Sequence, residues 1–449
     1  MHTAVIGLQF GDEGKGKLVD KLAEQHAIVV RYSGGSNAGH TVIVGDEEYK
    51  LHLIPCGVIH AKPSIIGNGV VVNFDRLEEE IEMLAGKGIT LTPEQLLISE
   101  RAHVVTPYHL LRDFLKEIKR QMGTTLQGIG PTYEDKIARQ GLTTGVLATA
   151  TDNELTEIVQ RLEKEKQQRL KSNDISKRQI IDALENRKKM TAGLREYINL
   201  AEIDTKKVLD RLKQHRDKFA PFITNTAEYL EQRLKQPILF ESAQGALLDI
   251  DHGTYPFVTA SNPTIGGIFT GTGIYCDIPN RIGVLKAYTT KVGSGPFPTK
   301  ITGPFEELIR KNGHEIGVTT GRNRDIGWLD IPALQHAIRT NGINQLVITK
   351  LDTLDFTKDP REEPIIKVCV AYEINGHQTT TFPATQTELE KAKPVYVECE
   401  RWTGTANARN WDELPEQAQA YIKFIQTQLK VPIKYVSTGP EREQILMVR

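Results

Sequence analysis

A glycine-rich loop near the start of the chain carries residue types suited to phosphate binding. The loop reads GDEGKGK over residues 11–17 and follows the short apolar run TAVIGL at residues 3–8. Gly11, Gly14 and Gly16 allow backbone turns that direct N–H groups at an anion. Lys15 and Lys17 add positive charge, and a helix expected to start near Lys17 adds its dipole. The order strand, glycine turn, helix is therefore typical of a phosphate-binding βα unit.

Two acidic residues stand inside this loop, Asp12 and Glu13. Both would repel a phosphate unless one of them binds Mg²⁺ or acts as a base. The loop is not a Walker motif, because no serine or threonine follows the lysine. A plain glycine-rich turn is the alternative interpretation.

A second glycine loop, SGGSNAGHT at residues 33–41, follows the apolar run AIVVRY. Asn37 and His40 place polar groups where a ligand could meet them. A histidine of this kind is more often structural, but a neighbouring phosphate loop makes a role toward phosphate equally reasonable.

The segment VITKLD at residues 347–352 places Lys350 and Asp352 at the carboxyl end of an expected strand. A carboxylate there can accept hydrogen bonds from N1 and N2 of guanine, and a lysine stem can lie along the base. The later STGP at residues 437–440 could wall the base, although S-T-G is also an ordinary turn. The K-x-D element is similar to the guanine-specificity motif of GTP-binding proteins, although the tripeptide alone is common.

A fourth loop, GVTTGRNRDIGWLD at residues 317–330, combines hydroxyl groups with two arginines. These residues are Thr319, Thr320, Arg322 and Arg324. Arginine matches carboxylates and phosphates through its planar fork, so the loop indicates an anion site. A solvated charged turn is the alternative.

Short apolar runs must position these loops. They recur at residues 3–8, 27–32, 64–72, 237–240, 282–288, 345–352 and 433–437, and several end in small or polar residues. This recurrence predicts an α/β fold with a mostly parallel sheet whose strand ends carry function. Residues 151–235 are rich in Lys, Glu, Arg, Gln and Leu and predict a predominantly helical subdomain within one domain of 449 residues.

Composition excludes some classes of protein. Lysine plus arginine total 56 and aspartate plus glutamate 57, so a net charge of −1 argues against a global basic field for nucleic acid or membranes. The four cysteines form no C-x-x-C pair, which argues against a disulfide framework or a structural zinc site. No signal-like segment or long apolar run is evident, so we expect a cytoplasmic protein with neither nucleic acid nor membrane as a partner.

Taken together, the motifs closely resemble the adenylosuccinate synthetase family, the GTP-dependent enzymes that join aspartate to IMP. The matching segments run in the family's order from residue 4 to residue 440. They are QFGDEGKGK, SGGSNAGHT, LHLIPCG, IIGNGVVV, GTTLQGIGPTYEDK, QGALLDIDHGTYPFVT, KVGSGPFPT, VTTGRNRDIGWLD, TKLD and STGP. The resemblance implies a single α/β domain with a P-loop-like GTP site, and a homodimer.

The resemblance also implies site residues. The catalytic residues would be Asp12, His40, Lys15 and Gln244. IMP would be bound by Asp12, Asn37, Thr125, Arg139, Gln244, Thr259 and Arg322. GTP would be bound by Gly11, Glu13, Gly14, Lys15, Gly16, Lys17, Gly39, His40, Thr41, Arg324, Lys350, Asp352, Ser437 and Gly439. L-Aspartate would be bound by Thr319, Thr320, Arg322 and Arg324. Mg²⁺ would be bound by Asp12 and the Gly39 carbonyl, and Arg139 would reach the IMP phosphate of the neighbouring subunit.

The implied chemistry has two steps. Asp12 would take the proton from N1 of IMP, and O6 would attack the γ-phosphate of GTP to give 6-phosphoryl-IMP. The aspartate amine would then displace phosphate at C6.

The chain departs from the family pattern at four positions beside these motifs: Leu126, Gln127, Ser242 and Asp325. The departures are consistent with a divergent branch that keeps the reaction. A paralogue acting on a 2-amino purine nucleotide is one alternative, although phage-type relatives lack the aspartate that Asp12 supplies here. A GTP-binding regulatory module is the other.

Overall fold

A computed structural model gives the structure of the protein. It describes residues 1–120, 123–171, 192–199, 202–316, 323–356 and 365–449. Within those ranges the strands, numbered in chain order, are β1 Thr3–Gly7, β2 Ile28–Arg31, β3 His40–Val44, β4 Glu47–Leu51, β5 Ser64–Ile66, β6 Val71–Val72, β7 Leu96–Ser99, β8 His103–Val104, β9 Ile198–Asn199, β10 Glu202–Ile203, β11 Ile223–Thr224, β12 Ile238–Glu241, β13 Asn280–Lys286, β14 Thr289–Lys291, β15 Asp325–Gly327, β16 Leu329–Asp330, β17 Gln345–Thr349, β18 Ile366–Ile374, β19 His377–Thr379, β20 Lys393–Cys399, β21 Ile433–Ser437 and β22 Ile445–Met447.

The α-helices of the same ranges are α1 Lys15–Ala23, α2 Phe74–Gly86, α3 Pro107–Arg120, α4 Ile129–Ile137, α5 Thr144–Thr149, α6 Asp152–Lys171, α7 Ala192–Arg195, α8 Thr205–Phe219, α9 Thr226–Glu231, α10 Ile265–Thr272, α11 Pro304–Gly313, α12 Ile331–Asn341, α13 Gln386–Lys391 and α14 Glu416–Leu429.

The central sheet has ten strands in the order β11-β7-β5-β2-β12-β1-β13-β17-β21-β22. All neighbouring pairs are parallel except β21 with β22 at one edge. The predicted α/β fold with a mostly parallel sheet is therefore confirmed. Because the strands are parallel, their carboxyl ends meet along one edge, where ligands bind in open α/β sheets.

The sheet is buried on both faces, as a parallel sheet must be. Along β1, Ala4 and Ile6 pack into one apolar cluster, whereas Val5 packs into the other on the opposite face. This alternation follows from the two-residue repeat of a strand. The two clusters hold the sheet edge in place between layers of helices.

Helix α1 begins at Lys15, two residues earlier than Lys17, the start that the sequence predicts. The reason is Gly14, which takes a left-handed conformation with φ 79° and ends the turn immediately before the helix. Both lysines of the loop therefore lie in the first helical turn, where backbone N–H groups are free to bind an anion.

The segment at residues 151–235 contributes α6, α7, α8 and α9 to the described structure, with short strands β9, β10 and β11 between them. Leu155 and Leu162 of α6 share an apolar cluster with Val208 and Leu212 of α8. In the described part of the chain, no helix is both long and apolar enough to cross a membrane.

Candidate active site

The phosphate loop folds around the buried carboxylate of Glu13, whose side chain is fully enclosed. One carboxylate oxygen accepts hydrogen bonds from the backbone N–H of Gln9, at 3.0 Å, and of Gly11, at 2.9 Å. The other oxygen pairs with Lys15 Nζ at 2.6 Å. Glu13 therefore shapes the loop from inside, and the repulsion of phosphate expected from this acid is reduced by its pairing with Lys15.

Lys15 links the phosphate loop to the segment after β12. Its Nζ also donates to the backbone carbonyl of Gln244 at 2.6 Å. Gln244 itself takes a left-handed backbone conformation, with φ 53°. Such a conformation is uncommon outside glycine and is often found at functional sites. The phosphate loop and the segment that the family resemblance implies for IMP thus meet at one ammonium group.

Asp12 is joined to Arg324 of the fourth loop. Arg324 Nε donates to Asp12 Oδ2 at 2.8 Å, and about a third of the Asp12 side chain, 32%, remains exposed. Burial alone would lower the pKa of Arg324, but Asp12 and Glu315 raise it above its usual value. The contact brings the expected base next to the arginine expected to bind GTP and aspartate.

His40 lies at the start of β3 and is buried beside α1. Its Nδ1 lies 2.6 Å from Glu241 Oε1, and the same oxygen accepts from Arg31 Nη1 at 3.2 Å. Burial lowers the pKa of His40, with Glu241 opposing. Burial alone would raise the pKa of Glu241, but His40 and Arg31 lower it to about 2. We therefore assign an ionised Glu241 that accepts from Nδ1–H of His40, which leaves Nε2 as the nitrogen for a ligand.

The backbone of the second loop approaches the phosphate loop closely. A Cβ added at Gly16 would lie 3.1 Å from His40 Cβ and 3.2 Å from the carbonyl oxygen of Thr41. A larger residue at position 16 would therefore separate α1 from β3. Both elements carry groups expected at GTP.

Three of the expected IMP residues form a hydrogen-bonded chain. Gln244 Nε2 donates to Asn37 Oδ1 at 3.0 Å, and Gln244 Oε1 accepts from Ser261 Oγ at 3.2 Å. Ser261 Oγ lies 3.1 Å from the hydroxyl of Thr259. The structure thus brings Asn37, Gln244 and Thr259 together, with Ser261 as a connection that the sequence did not indicate.

Thr125 lies beside one of the departures from the family pattern, and that residue contacts the neighbour of Asn37. The buried Gln127 accepts from Ser36 Oγ at 3.3 Å and donates to the carbonyl of Thr125 at 3.5 Å. By contrast, Asp325 pairs with Lys300 at 2.9 Å on the partly exposed side of β15. Gln127 therefore lies next to residues expected at IMP, whereas Asp325 pairs with a lysine on the partly exposed side of β15.

The expected guanine residues form the other end of the site. Lys350 takes a left-handed conformation, with φ 61°, and its Nζ donates to the carbonyl of Gly313 at 2.8 Å. Asp352 Oδ1 is buried and has no hydrogen-bond partner among the described residues. Burial raises the pKa of Asp352 above its usual value, and Lys350 opposes that rise. An unpaired buried carboxylate oxygen is costly, so it marks a position where a donor is expected.

Lys17 joins the guanine end to the phosphate loop. Its Nζ donates to Ser437 Oγ and to the Gly439 carbonyl, both at 2.6 Å, and to the Gln444 carbonyl at 3.1 Å. Burial lowers the pKa of Lys17 to about 8, although Asp352 opposes this. An added Cβ at Gly439 would lie 2.2 Å from Gln444 Oε1, so a larger residue there would displace the Gln444 side chain.

The remaining expected residues lie apart or outside the described ranges. Arg139 follows α4, is exposed and has φ 61°. No described side chain contacts it by a hydrogen bond or an ion pair. Thr319, Thr320 and Arg322 lie outside the described residues.

Several charged residues at the site were not found from the sequence: Arg31, Glu241, Lys286 and Glu315. Two signals could have indicated them. Glu241 ends the apolar run ILFE and Lys286 interrupts GVLKAY, and a charge within a buried strand is rare unless it is paired. Glu315 carries no such signal, because it precedes a loop that is already polar.

The donor groups expected for a metal ion suit Mg²⁺. A carboxylate from Asp12 and a backbone carbonyl from Gly39 are hard oxygen ligands, which Mg²⁺ prefers. Arg324 engages one Asp12 oxygen. The set His40, Cys56 and Glu241 also places possible ligand atoms within 4.8 Å of one another. Its thiol and imidazole are poor ligands for Mg²⁺, and Arg31 already neutralises Glu241, so it does not fit that ion.

Comparison with known proteins agrees with this arrangement. The adenylosuccinate synthetase family model matches residues 4–446. An adenylosuccinate synthetase from Clostridium novyi is 42% identical over 99% of this chain and 98% of its own length, and one from Halothermothrix orenii is also 42% identical with the same coverage.

Solved structures are similar to the chain to different degrees. A fully ligated adenylosuccinate synthetase from Plasmodium falciparum is 34% identical, with a TM-score of 0.86 over 100% of both chains. A cyanophage S-2L succinoaminodeoxyadenylate synthetase shares the fold alone, at 17% identity and a TM-score of 0.56 over 99% of this chain and 94% of its own. Since the family model and these relatives cover nearly the whole chain, the protein belongs to the adenylosuccinate synthetase family of GTP-dependent ligases.

Proposed function

We propose that the protein joins L-aspartate to IMP with hydrolysis of GTP, giving adenylosuccinate, GDP and phosphate on the route from IMP to AMP. One observation carries the proposal beyond family membership. The phosphate loop contacts the IMP element through Lys15 and Gln244, at 2.6 Å, and contacts the fourth loop through Asp12 and Arg324, at 2.8 Å. A GTP switch needs only the phosphate loop and the guanine element, so it would gain nothing from these two junctions.

In the first step Asp12 takes the N1 proton of IMP, and the charge moves to O6. O6 attacks the γ-phosphorus of GTP and GDP leaves, which forms 6-phosphoryl-IMP. Lys15 stabilises the charge on the transferring phosphoryl group, as a fixed cation does in phosphoryl transfer. The anionic phosphoryl group would favour the imidazolium form of His40, which keeps Nδ1–H on Glu241 and donates from Nε2–H to the same group. Mg²⁺ held by Asp12 and Gly39 would neutralise phosphate charge.

In the second step the amine of aspartate attacks C6 and the phosphate leaves. Thr319, Thr320, Arg322 and Arg324 are the proposed aspartate residues. Asn37, Thr125, Gln244 and Thr259 hold IMP, with Arg322 and with Arg139 of the partner subunit. Ser437 and Asp352 bind guanine, together with Lys350 and Gly439.

We propose further that the enzyme is a cytoplasmic homodimer. Exposure of Arg139 leaves its guanidinium free to reach a second subunit. The four cysteines are all unpaired thiols, which suits a reducing compartment.

A coupled assay with IMP, GTP and aspartate tests the proposal. Adenylosuccinate should form only when all three are present, with one phosphate released per product. Replacing IMP by GMP tests the 2-amino purine alternative, and titration calorimetry with GTP before and after IMP tests the switch alternative. Product formed from GMP but not from IMP would contradict the proposal, as would GTP binding with no response to IMP.

A further inference from the structure

We propose that Glu315 is a positioning residue that holds Arg324 against Asp12. Its carboxylate is fully buried beneath the Asp12–Arg324 pair, and among the described residues it contacts the expected substrate residues through Arg324. The inference rests on the proposed function, because it concerns how the expected base and its neighbouring arginine are held for that reaction.

The geometry divides one guanidinium between two carboxylates. Arg324 Nη1 donates to Glu315 Oε2 at 2.6 Å, while Arg324 Nε donates to Asp12 Oδ2 at 2.8 Å. Because the guanidinium is rigid and planar, fixing Nη1 also fixes the direction of Nε. The position of Arg324 relative to Asp12 is therefore set largely by Glu315.

Glu315 is itself held from below by β13 and the residues after it. Lys286 Nζ donates to both carboxylate oxygens, at 2.8 Å and 2.9 Å, and the Tyr288 hydroxyl donates to Oε1. Lys286 also donates to Thr290 Oγ1 at 2.7 Å. Burial alone would raise the pKa of Glu315, but Lys286 and Arg324 lower it to about 2, so the anchor stays ionised.

A main-chain hydrogen bond strengthens the contact between Glu315 and Arg324. The N–H of Arg324 donates to the carbonyl of Glu315 at 3.0 Å, and Ile316 and Asn323 form an antiparallel bridge. Glu315 and Arg324 are therefore bonded through both side chain and main chain.

Charge explains why a carboxylate is needed at this position. Asp12 and Glu315 balance Lys286 and Arg324 in one cluster. Without the charge of Glu315, two cations would share a buried space with Asp12 as the remaining anion. Repulsion between Lys286 and Arg324 would then displace the guanidinium, and a displacement of about 1 Å at a reacting group can cost about 100-fold in rate.

The test is Glu315→Gln, which keeps size and removes the charge. We expect kcat to fall by about 10- to 100-fold, while the KM for IMP, which Arg324 is not expected to bind, changes by less than about threefold. Arg324→Lys and the double variant complete a mutant cycle, and the two losses should be far from additive because both act through one contact. Additive losses, or a kcat within about threefold of wild type, would overturn the proposal.

Asp75→Asn is the matched control. Asp75 accepts from Tyr197 at 2.7 Å and from Arg211 at 2.7 Å, so it resembles Glu315 in its partners but lies in α2. This variant should lose stability and keep kcat. Should Glu315→Gln not fold, Glu315→Asp decides: the charge remains, but the shorter stem cannot reach both cations, so kcat should again fall. Wild-type-like kcat there would overturn the inference, whereas an inactive wild type would overturn the proposed function instead.

Discussion

The two ends of the candidate site differ in how their charges are paired. At the phosphate end, Glu13 pairs with Lys15 and Asp12 with Arg324. At the guanine end, Asp352 Oδ1 and Thr438 Oγ1 are buried without hydrogen-bond partners among the described residues. One end is internally neutralised, and the other keeps unused hydrogen-bonding capacity.

The difference indicates two ways of binding one nucleotide. A ligand at the phosphate end must break ion pairs that already exist. Its selectivity therefore depends on the charge of the ligand and on when those pairs open. A base at the guanine end supplies hydrogen-bond partners for Asp352 and Thr438, which have none among the described residues. Each such hydrogen bond therefore adds to the free energy of binding. Discrimination between bases is expected to be strong, because a wrong base leaves Asp352 unpaired.

The largest expected effect lies at the phosphate end. Asp12→Asn keeps size and a hydrogen-bond acceptor but cannot take a proton, so kcat should fall by about two to four orders of magnitude. The test is to measure kcat at saturating IMP, GTP and aspartate. GTP affinity, measured by titration, is the control for correct folding. Turnover above about a tenth of wild type would show that Asp12 only shapes the loop.

The next effect lies at the guanine end. Asp352→Asn presents an N–H₂ donor where guanine needs an acceptor, so kcat/KM should fall by about 10- to 100-fold for GTP and rise for XTP, whose C2 carbonyl accepts that donor. Parallel assays with both nucleotides check the change. Equal losses with GTP and XTP would make Asp352 a structural residue and remove the contrast between the two ends.

A third experiment tests whether a residue from the partner subunit completes the site. Arg139→Leu and Asp12→Asn should each be nearly inactive as homodimers. Subunits mixed in equal amounts should recover about a quarter of wild-type activity, because half of the dimers are mixed and each holds one intact site. Mixed dimers that form but stay inactive would place Arg139 in its own subunit or outside the site.

The smallest expected effect is a pH dependence at Lys17, which connects the two ends. With a pKa of about 8, Lys17 is charged below that pH and neutral above it. The KM for GTP should therefore rise a few-fold between about pH 7 and pH 9, because a neutral amine attracts phosphate less. Lys17→Arg should flatten this rise, since arginine stays charged, and a profile unchanged by that substitution would exclude Lys17 as its source.

The sequence predicted the loops better than the connections between them. The runs at residues 345–352 and 433–437 became β17 and β21, and their polar ends reached the same sheet edge because parallel strands share direction. The contacts of Glu241 with His40 and of Glu315 with Lys286 join residues 201 and 29 positions apart. The local pattern of polar and apolar residues contains no information about such pairs. They could be identified only from the folded structure.

The bonds from Lys17 to Ser437 and Gly439 have a consequence for synthesis of the protein. They join the third residue of α1 to the last part of the central sheet across 420 positions of sequence. A ribosome adding about 5–20 residues per second needs roughly 20–80 s to make that stretch. The phosphate loop is therefore synthesised early. It cannot contact Ser437 and Gly439 until nearly the whole polypeptide has emerged from the ribosome.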